Sequence, residues 1–262
     1  MVELLLVGCG KMGRALLEGI LDSDVVVAAS VAVIEPNADL QASIAAAHPA
    51  IRILSEPVSA DVCVVATKPS EVAGVISSLR GLSIASIVSI AAGITTSAME
   101  AALADKTPVI RAMPNTPAQI RMGVTAICAG TFAGDAEMAR AAELLGTFGE
   151  VIVVPEKQID AVTAISGSGP AYVYYFAEAM IDAGIELGLS AELASKLAIA
   201  TLAGSAELLR RRPSDTRALR LEVSSPGGTT IAATNKFEEL GVSGGIIAGI
   251  RASYEKSRAL GA

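Results

Sequence analysis

The sequence predicts an α/β N-terminal half built of βαβ units, followed by an all-α C-terminal half. Three observations predict it. Short β-branched apolar runs alternate with amphipathic stretches through roughly the first 155 residues. Those runs are apolar without alternation, as expected of strands buried on both faces in a parallel sheet covered by helices. From Gln158 onward nothing reads as a strand. The switch sets a domain boundary near Pro155, giving residues 1–155 and 156–262. A length of 262 residues accommodates two such parts, and 52% hydrophobic against 18% charged residues excludes a disordered chain.

In chain order, residues 3–7 are a continuous apolar strand ending in Gly8. Residues 11–21 form a helix, with Met12, Ala15, Leu16, Gly19 and Ile20 at helical spacing. The β-branched stretch 25–34 is the second strand and 39–47 the next helix. Residues 61–66 are a buried strand followed by a helix after Pro69. Strands at 84–90 and 108–111 flank a helix at 95–104, and late edge strands at 124–129 and 151–154 flank a helix at 135–148. The second half holds helical patterns at 170–187, 192–212, 229–240 and 243–258, with no internal repeat. The stretch 171–185 is apolar on more than one face (Tyr172, Val173, Tyr175, Phe176, Met180, Ile181), and a helix apolar all round is buried. It packs either against a second copy in a homodimer, the commonest oligomer and the favoured arrangement, or within an alanine-rich single-chain bundle.

Charge and composition narrow the function. A net charge of −7 and a pI of 4.9 argue against a basic nucleic-acid footprint. The single histidine, His48, excludes most zinc enzymes and any Ser-His-Asp triad. Standing before Pro49, it reads as a helix-end surface residue. Cys9, Cys63 and Cys128 are far apart and suit a reducing cytosol. The mean hydropathy of +0.55 raises the membrane question, but a span needs about 20 uninterrupted apolar residues and the best run, 82–94, is too short. No basic leader begins the chain. The expectation is a cytoplasmic protein with no membrane or nucleic-acid partner.

Gly8-Cys9-Gly10-Lys11-Met12-Gly13 is a G-x-G-x-x-G placed where a strand ends and a helix opens. Gly8 permits the tight turn, Gly10 lets a pyrophosphate approach the backbone, and Gly13 lets helix and strand pack closely. The helix start supplies N–H groups and a positive dipole end. About 20 residues on, Glu35 ends the second strand. It either accepts a hydrogen bond from a ribose 2′-hydroxyl, favouring NAD, or belongs with Pro36 and Asn37 to a polar turn capping the next helix. No arginine sits in this loop to pair with a 2′-phosphate. Further strand ends carry Ala66-Thr67-Lys68-Pro69 and Ile90-Ala91-Ala92-Gly93, and ligands of open α/β sheets bind outside such ends. Lys68 also reads as a plain solvated lysine. Arg111-Ala112-Met113-Pro114-Asn115-Thr116-Pro117 is a proline-stiffened turn.

Two motifs in the second half are not ordinary helix text. Ser166-Gly167-Ser168-Gly169-Pro170 breaks a helical stretch and forces a kink or a restart. Ser224-Ser225-Pro226-Gly227-Gly228-Thr229-Thr230 precedes a helix, and its amides and hydroxyls form a nest suited to a small carboxylate. A plain N-cap needs only one such residue; four hydroxyls and two glycines favour a site.

Together these motifs resemble pyrroline-5-carboxylate reductase, from Gly8 to about Leu240. The runs Asp160-Ala161-Val162-Thr163-Ala164-Ile165-Ser166-Gly167-Ser168-Gly169-Pro170-Ala171-Tyr172 and Val223-Ser224-Ser225-Pro226-Gly227-Gly228-Thr229-Thr230 are the most specific part of the match. The resemblance implies a Rossmann-like NAD(P)-binding domain followed by a helical dimerisation and substrate-binding domain with interleaved helices, in homodimers that in this family often assemble further into decamers. It implies an active site between one subunit's cofactor domain and helices of the dimer. Val7, Gly8, Cys9, Gly10, Lys11 and Met12 would hold the cofactor pyrophosphate, Glu35 and Asn37 the adenosine ribose, and Ser55 would touch the cofactor. Ala66, Thr67, Lys68, Pro69, Ile90, Ala91 and Ala92 would line the nicotinamide. Ser225, Gly227, Gly228 and Thr229 would bind the substrate carboxylate, with Glu156 nearby, and Thr230 would hydrogen-bond the ring nitrogen as the catalytic residue. Glu35 stands where the family often carries Ser or another neutral residue, which bears on the choice between NADPH and NADH. Leu221-Glu222 replaces a more polar pair.

The implied reaction is hydride transfer to the C=N carbon of L-1-pyrroline-5-carboxylate, giving L-proline. Imines protonate near neutral pH, so a hydroxyl that orients the nitrogen suffices and no histidine is needed. Two other classes stay open: another NAD(P)-dependent imine or hydroxyacid oxidoreductase, for which Lys196 would be the unsupported catalytic lysine, and a non-catalytic nucleotide sensor, against which the carboxylate nest argues.

Overall fold

The computed structural model describes residues 2–103, 105–212 and 215–260. The first strand, β1 (Val2–Val7), shows why its sequence does not alternate. Leu4 and Leu6 enter one core with Leu16, Leu17, Ile20, Leu144 and Phe148, while Val2, Leu5 and Val7 enter a second with Val72, Ile76, Met99 and Leu103. Both faces of the sheet are covered by helices.

The elements follow in order: α1 (Lys11–Asp22), β2 (Val31–Ile34), α2 (Ala38–Ala47), β3 (Arg52–Leu54), β4 (Ala60–Val65), α3 (Pro69–Ser78), β5 (Ile84–Ser89), α4 (Thr96–Leu103), β6 (Val109–Met113), β7 (Gly123–Ala129), α5 (Asp135–Gly146) and β8 (Gly149–Val153). The eight strands lie in the order β3-β2-β1-β4-β5-β6-β7-β8. Strand order reverses between β1 and β4, where Val7 pairs with Val65 and, on the other side, with Ile34. That reversal opens a crevice beyond the carboxyl ends of β1 and β4, the usual ligand position in such sheets. All ladders are parallel except β6 with β7.

The expected parallel α/β half is present, with three corrections. The second strand begins at Val31, not at residue 25. Asp24 turns the chain at φ 54° and residues Ala28–Ser30 form a 3-10 turn, so only from Val31, opposite Leu4, does the backbone reach the ladder. β3 was missed, since three residues at a sheet edge carry too little pattern. β7 is no edge strand: it lies between β6 and β8, antiparallel to the first. Ala104, the last residue of the expected fourth helix, lies outside the described residues.

After β8 come α6 (Ile159–Val162) and a π-helical turn, Thr163–Gly167, ahead of the restart at Gly169, where a break was expected. The helices beyond are α7 (Gly169–Glu186), α8 (Ala191–Arg211), α9 (Thr216–Glu222), α10 (Thr229–Glu239) and α11 (Val242–Leu260). α9 was not expected; seven residues capped by Asp215, which accepts from Arg217 N at 2.9 Å, are too short to show a period. The chain divides into two compact units. One holds residues up to Ser168 together with Ser253 onward, the other Gly169–Ala252.

In the second unit the turn between α7 and α8 pivots on Gly188 at φ 96°, and Ser190 caps α8 by accepting from Leu193 N at 3.2 Å. Gly184 lets α8 approach, since a Cβ there would stand 2.9 Å from Ala194 Cβ. Among the described residues of this unit only Ala194 and Ala198 are buried. Tyr174, Tyr175 and Leu187 are 58%, 77% and 85% exposed. Among the described residues no helix is long and apolar enough to cross a membrane.

Candidate nucleotide and substrate sites

The glycine turn is built as its spacing implies. Gly8 takes φ 89°, its N–H donates to Ile34 O at 2.8 Å, and a Cβ there would lie 2.8 Å from Ala66 O. A Cβ on Gly13 would collide with the Gly8 carbonyl oxygen and stand 3.2 Å from Ala66 Cβ. These two glycines serve the packing of α1 against β1 and β4. Gly10 differs: nothing lies within 4 Å of a Cβ built there, so its small size answers no protein neighbour. It precedes α1, whose first turn has neither a side-chain cap nor an acidic residue. The helix start thus presents amides toward open space, which fits an anionic phosphate group. Lys11 is exposed and Met12 half-buried at this turn. Cys9 is buried, and burial, then the Glu35 charge, pushes its thiol up to about 12. It is a protonated packing residue rather than a nucleophile.

Glu35, 7% exposed, accepts from Cys9 N at 2.7 Å and from Asn37 N at 2.9 Å. The carboxylate ties the end of β2 to the glycine turn while keeping its charge at the edge of the crevice. Asn37 caps α2, accepting from Leu40 N at 3.0 Å. The loop is thus the polar turn that caps the next helix. Arg14, also on α1, donates to Ser43 Oγ at 2.9 Å and pairs with Glu18. Ser55, exposed just past β3, lines a depression with Val7 and Ile34. His48 ends α2, as expected, and meets Glu18 Oε2 at 2.9 Å.

Beside the turn, Ala66 and Thr67 follow β4. Thr67 Oγ1 is buried with no hydrogen-bond partner among the described residues, a polar atom that a ligand would satisfy. Lys68 and Pro69 open α3, and the Lys68 side chain is exposed. After β5, Ile90 and Ala91 are buried, and Ile90 N donates to Val65 O at 3.0 Å. Ala92 is half-buried. The structure thus brings Val7–Met12, Glu35, Asn37, Ala66–Pro69 and Ile90–Ala92 to one end of the sheet.

The other expected group lies in the second unit. Gly227 takes φ 70°, Gly228 N donates to Ser225 O at 2.9 Å, and α10 begins at Thr229 without a side-chain cap. Ser224 Oγ is spent on Arg220 O at 2.7 Å. Among the described residues the hydroxyls of Ser225, Thr229 and Thr230 have no partner. A turn with open hydroxyls before an uncapped helix can receive a carboxylate. Lys196 is exposed on α8 with no supporting cluster.

Glu156 stands in a different setting. Its Oε1 accepts from Thr96 N at 2.8 Å and from Arg111 Nη1 at 3.3 Å, and its Oε2 from Thr96 Oγ1 at 2.7 Å. Arg111 is 4% exposed on β6, with Asp160 at 4.0 Å on its other side. Sequence reasoning missed this cluster, although an arginine inside the apolar run Val109-Ile110-Arg111-Ala112 signals a buried cation that needs acids. Asn115 bridges segments, donating to Ser166 O at 3.2 Å and accepting from Val124 N at 3.0 Å.

Comparison with known proteins adds kinship. Residues 156–260 match the family model described as pyrroline-5-carboxylate reductase dimerisation, and residues 3–93 match one described as NADP oxidoreductase coenzyme F420-dependent. The pyrroline-5-carboxylate reductase of Pseudomonas aeruginosa is 38% identical over 97% of this chain and 95% of its own. The chain belongs to the pyrroline-5-carboxylate reductase family. A solved pyrroline-5-carboxylate reductase from Coxiella burnetii is 28% identical with a TM-score of 0.91, covering 100% of this chain and 99% of that one. The Plasmodium falciparum pyrroline carboxylate reductase, solved with NADP bound, is 27% identical with a TM-score of 0.88, covering 100% and 98%. The family membership accounts for the Rossmann-like first half and the helical dimerisation half alike.

Proposed function

We propose that the chain is an NAD(P)H-dependent reductase that converts the C=N bond of L-1-pyrroline-5-carboxylate to the C–N bond of L-proline, the final step of proline biosynthesis. The observation that carries this is the kinship to pyrroline-5-carboxylate reductases over nearly the whole chain. The glycine turn fits a dinucleotide: Gly8 and Gly13 are required by packing, Gly10 by nothing in the protein, and Thr67 Oγ1 has no partner among the described residues. When bound, the nucleotide supplies a hydride from C4 of its dihydronicotinamide.

Everything else is binding and orientation. Val7 through Met12 hold the pyrophosphate against the amides of α1. Glu35 and Asn37 border the adenosine ribose, with Ser55 at the same edge, and residues 66–69 and 90–92 line the nicotinamide. Ser225, Gly227, Gly228 and Thr229 take the substrate carboxylate, and the Thr230 hydroxyl orients the ring nitrogen and relays to it a proton drawn from solvent, so that the hydroxyl is left as it began. Holding donor and acceptor in register supplies most of the rate. The working particle is a homodimer, from which a decamer can be built, and three buried unpaired cysteines suit the cytoplasm.

The test is a spectrophotometric assay with each reduced nucleotide in turn. Consumption that depends on pyrroline-5-carboxylate and yields proline supports the assignment, and its absence with both nucleotides overturns it. Thr230→Ala should lower kcat by roughly a hundredfold while leaving nucleotide Kd within about twofold. An unchanged kcat would remove Thr230 from the chemistry.

A further inference from the structure

The Arg111 cluster closes a ring around the loop at residues 90–95. At one end of that loop Ile90 N is bonded to Val65 O. At the other, Glu156 takes both the N–H and the hydroxyl of Thr96, the first residue of α4, acting as a cap brought from 60 residues away. In the middle Gly93, at φ 79°, is pressed against the end of α11: a Cβ there would stand 3.3 Å from both Leu260 O and Leu260 Cβ. One turn earlier on α11, Ser257 donates to Asp160 Oδ1 at 2.8 Å. Arg111 lies between the two acids. The circuit therefore runs Arg111, Glu156, Thr96, Gly93, Leu260, Ser257, Asp160 and back to Arg111, and all of it belongs to the first unit.

We infer that Arg111, Glu156 and Thr96 are positioning residues for hydride transfer, because the ring they close fixes the height of residues 90–93, against which the nicotinamide is assigned. The inference rests on the nucleotide assignment above. It also moves Glu156 away from the substrate: its oxygens are already engaged, and a carboxylate gains nothing from facing an anionic substrate. A buried ion pair contributes little to net stability beside well-packed apolar residues, whereas it can hold one geometry against others.

The experiment compares Thr96→Val, Thr96→Ser and Glu156→Gln in the full-length protein. Amide hydrogen exchange is first followed without nucleotide. Thr96→Val and Glu156→Gln should speed exchange across residues 90–96 by about fivefold, the loss of one hydrogen bond, with β1 unchanged and Thr96→Ser at the wild-type rate. Turnover is then measured with nucleotide deuterated at C4. In the same two variants kcat should fall roughly tenfold or more with a larger isotope effect on kcat, while substrate KM moves less than about twofold. Unchanged exchange over residues 90–96 overturns the inference. So does a raised substrate KM with kcat and isotope effect unchanged, which would return Glu156 to direct substrate contact. If Glu156→Gln does not fold, the Thr96 pair decides by the same criteria. A wild-type chain that turns over no pyrroline-5-carboxylate overturns the functional proposal instead, and exchange alone then judges the ring.

Discussion

At Glu35, two backbone amides fix a nearly buried carboxylate beside the glycine turn. The carboxylate is held at the end of β2, and Arg14 on α1 is committed to Ser43 and Glu18. A 2′-phosphate would meet that charge with no cation prepared for it, whereas a 2′-hydroxyl would find an acceptor. Glu35→Ser should therefore raise the NADPH/NADH ratio of kcat/KM by roughly tenfold or more, the size of a charge repulsion at a partly screened site. An unchanged ratio would leave Glu35 with only its role of tying β2 to the turn. The residue was visible in the sequence as an acid some twenty positions past the glycines. Its double engagement with Cys9 and Asn37 was not, because the two amides are brought together only by pairing of β1 with β2.

Among the elements, the strand-turn-helix at residues 2–22 separates two uses of glycine that sequence alone treats alike. Gly13→Ala drives a methyl into the Gly8 carbonyl and should destabilise the fold by about 1–3 kcal/mol, seen in thermal unfolding. Gly10→Ala meets nothing, so unfolding should hardly change while nucleotide Kd rises at least about tenfold. Tight nucleotide binding by Gly10→Ala would count against the pyrophosphate assignment. The elements that sequence located well include β1, α1, β4, α7 and α8, which fall within a residue or two of expectation. Those it missed have a different logic. β3 is three residues long, α9 is seven, and residues 25–30 are β-branched yet diverted by the turn at Asp24. The Arg111 cluster was only partly legible: an arginine in an apolar run and two acids four residues apart are visible, but Thr96, Arg111 and the stretch 156–160 meet only once the sheet and α6 exist.

For the whole molecule, the second unit cannot account for itself as a single copy. Its described residues bury only Ala194 and Ala198 and leave Tyr175 77% exposed. A unit so poor in core needs a partner surface, as the dimerisation family match over residues 156–260 requires. Thermal unfolding should shift to lower temperature on dilution, and Tyr175→Asp should shift sedimentation toward monomer. A concentration-independent Tm with a monomeric wild type would contradict this. The first unit is built differently, and its buried thiols make it alkali-sensitive. Burial pushes Cys9 and Cys63 up to about 12 and Cys128 to about 11, from an ordinary value of 9.0. Unfolded thiols ionise where folded ones do not. Their contribution is therefore whole below pH 9 and is lost progressively as pH rises toward 11 or 12. Cys63→Ala should make the fall of Tm above pH 9 shallower, and an equal slope would show that other groups govern it. One feature of this unit bears on how the chain comes off the ribosome. Asp160 and Gly93 acquire Ser257 and Leu260 only when the last helix has emerged. The Rossmann-like half, though synthesised first, stays incomplete until the helical half has been translated, so a prematurely terminated product would carry its glycine turn without the contacts that α11 makes to Gly93 and Asp160.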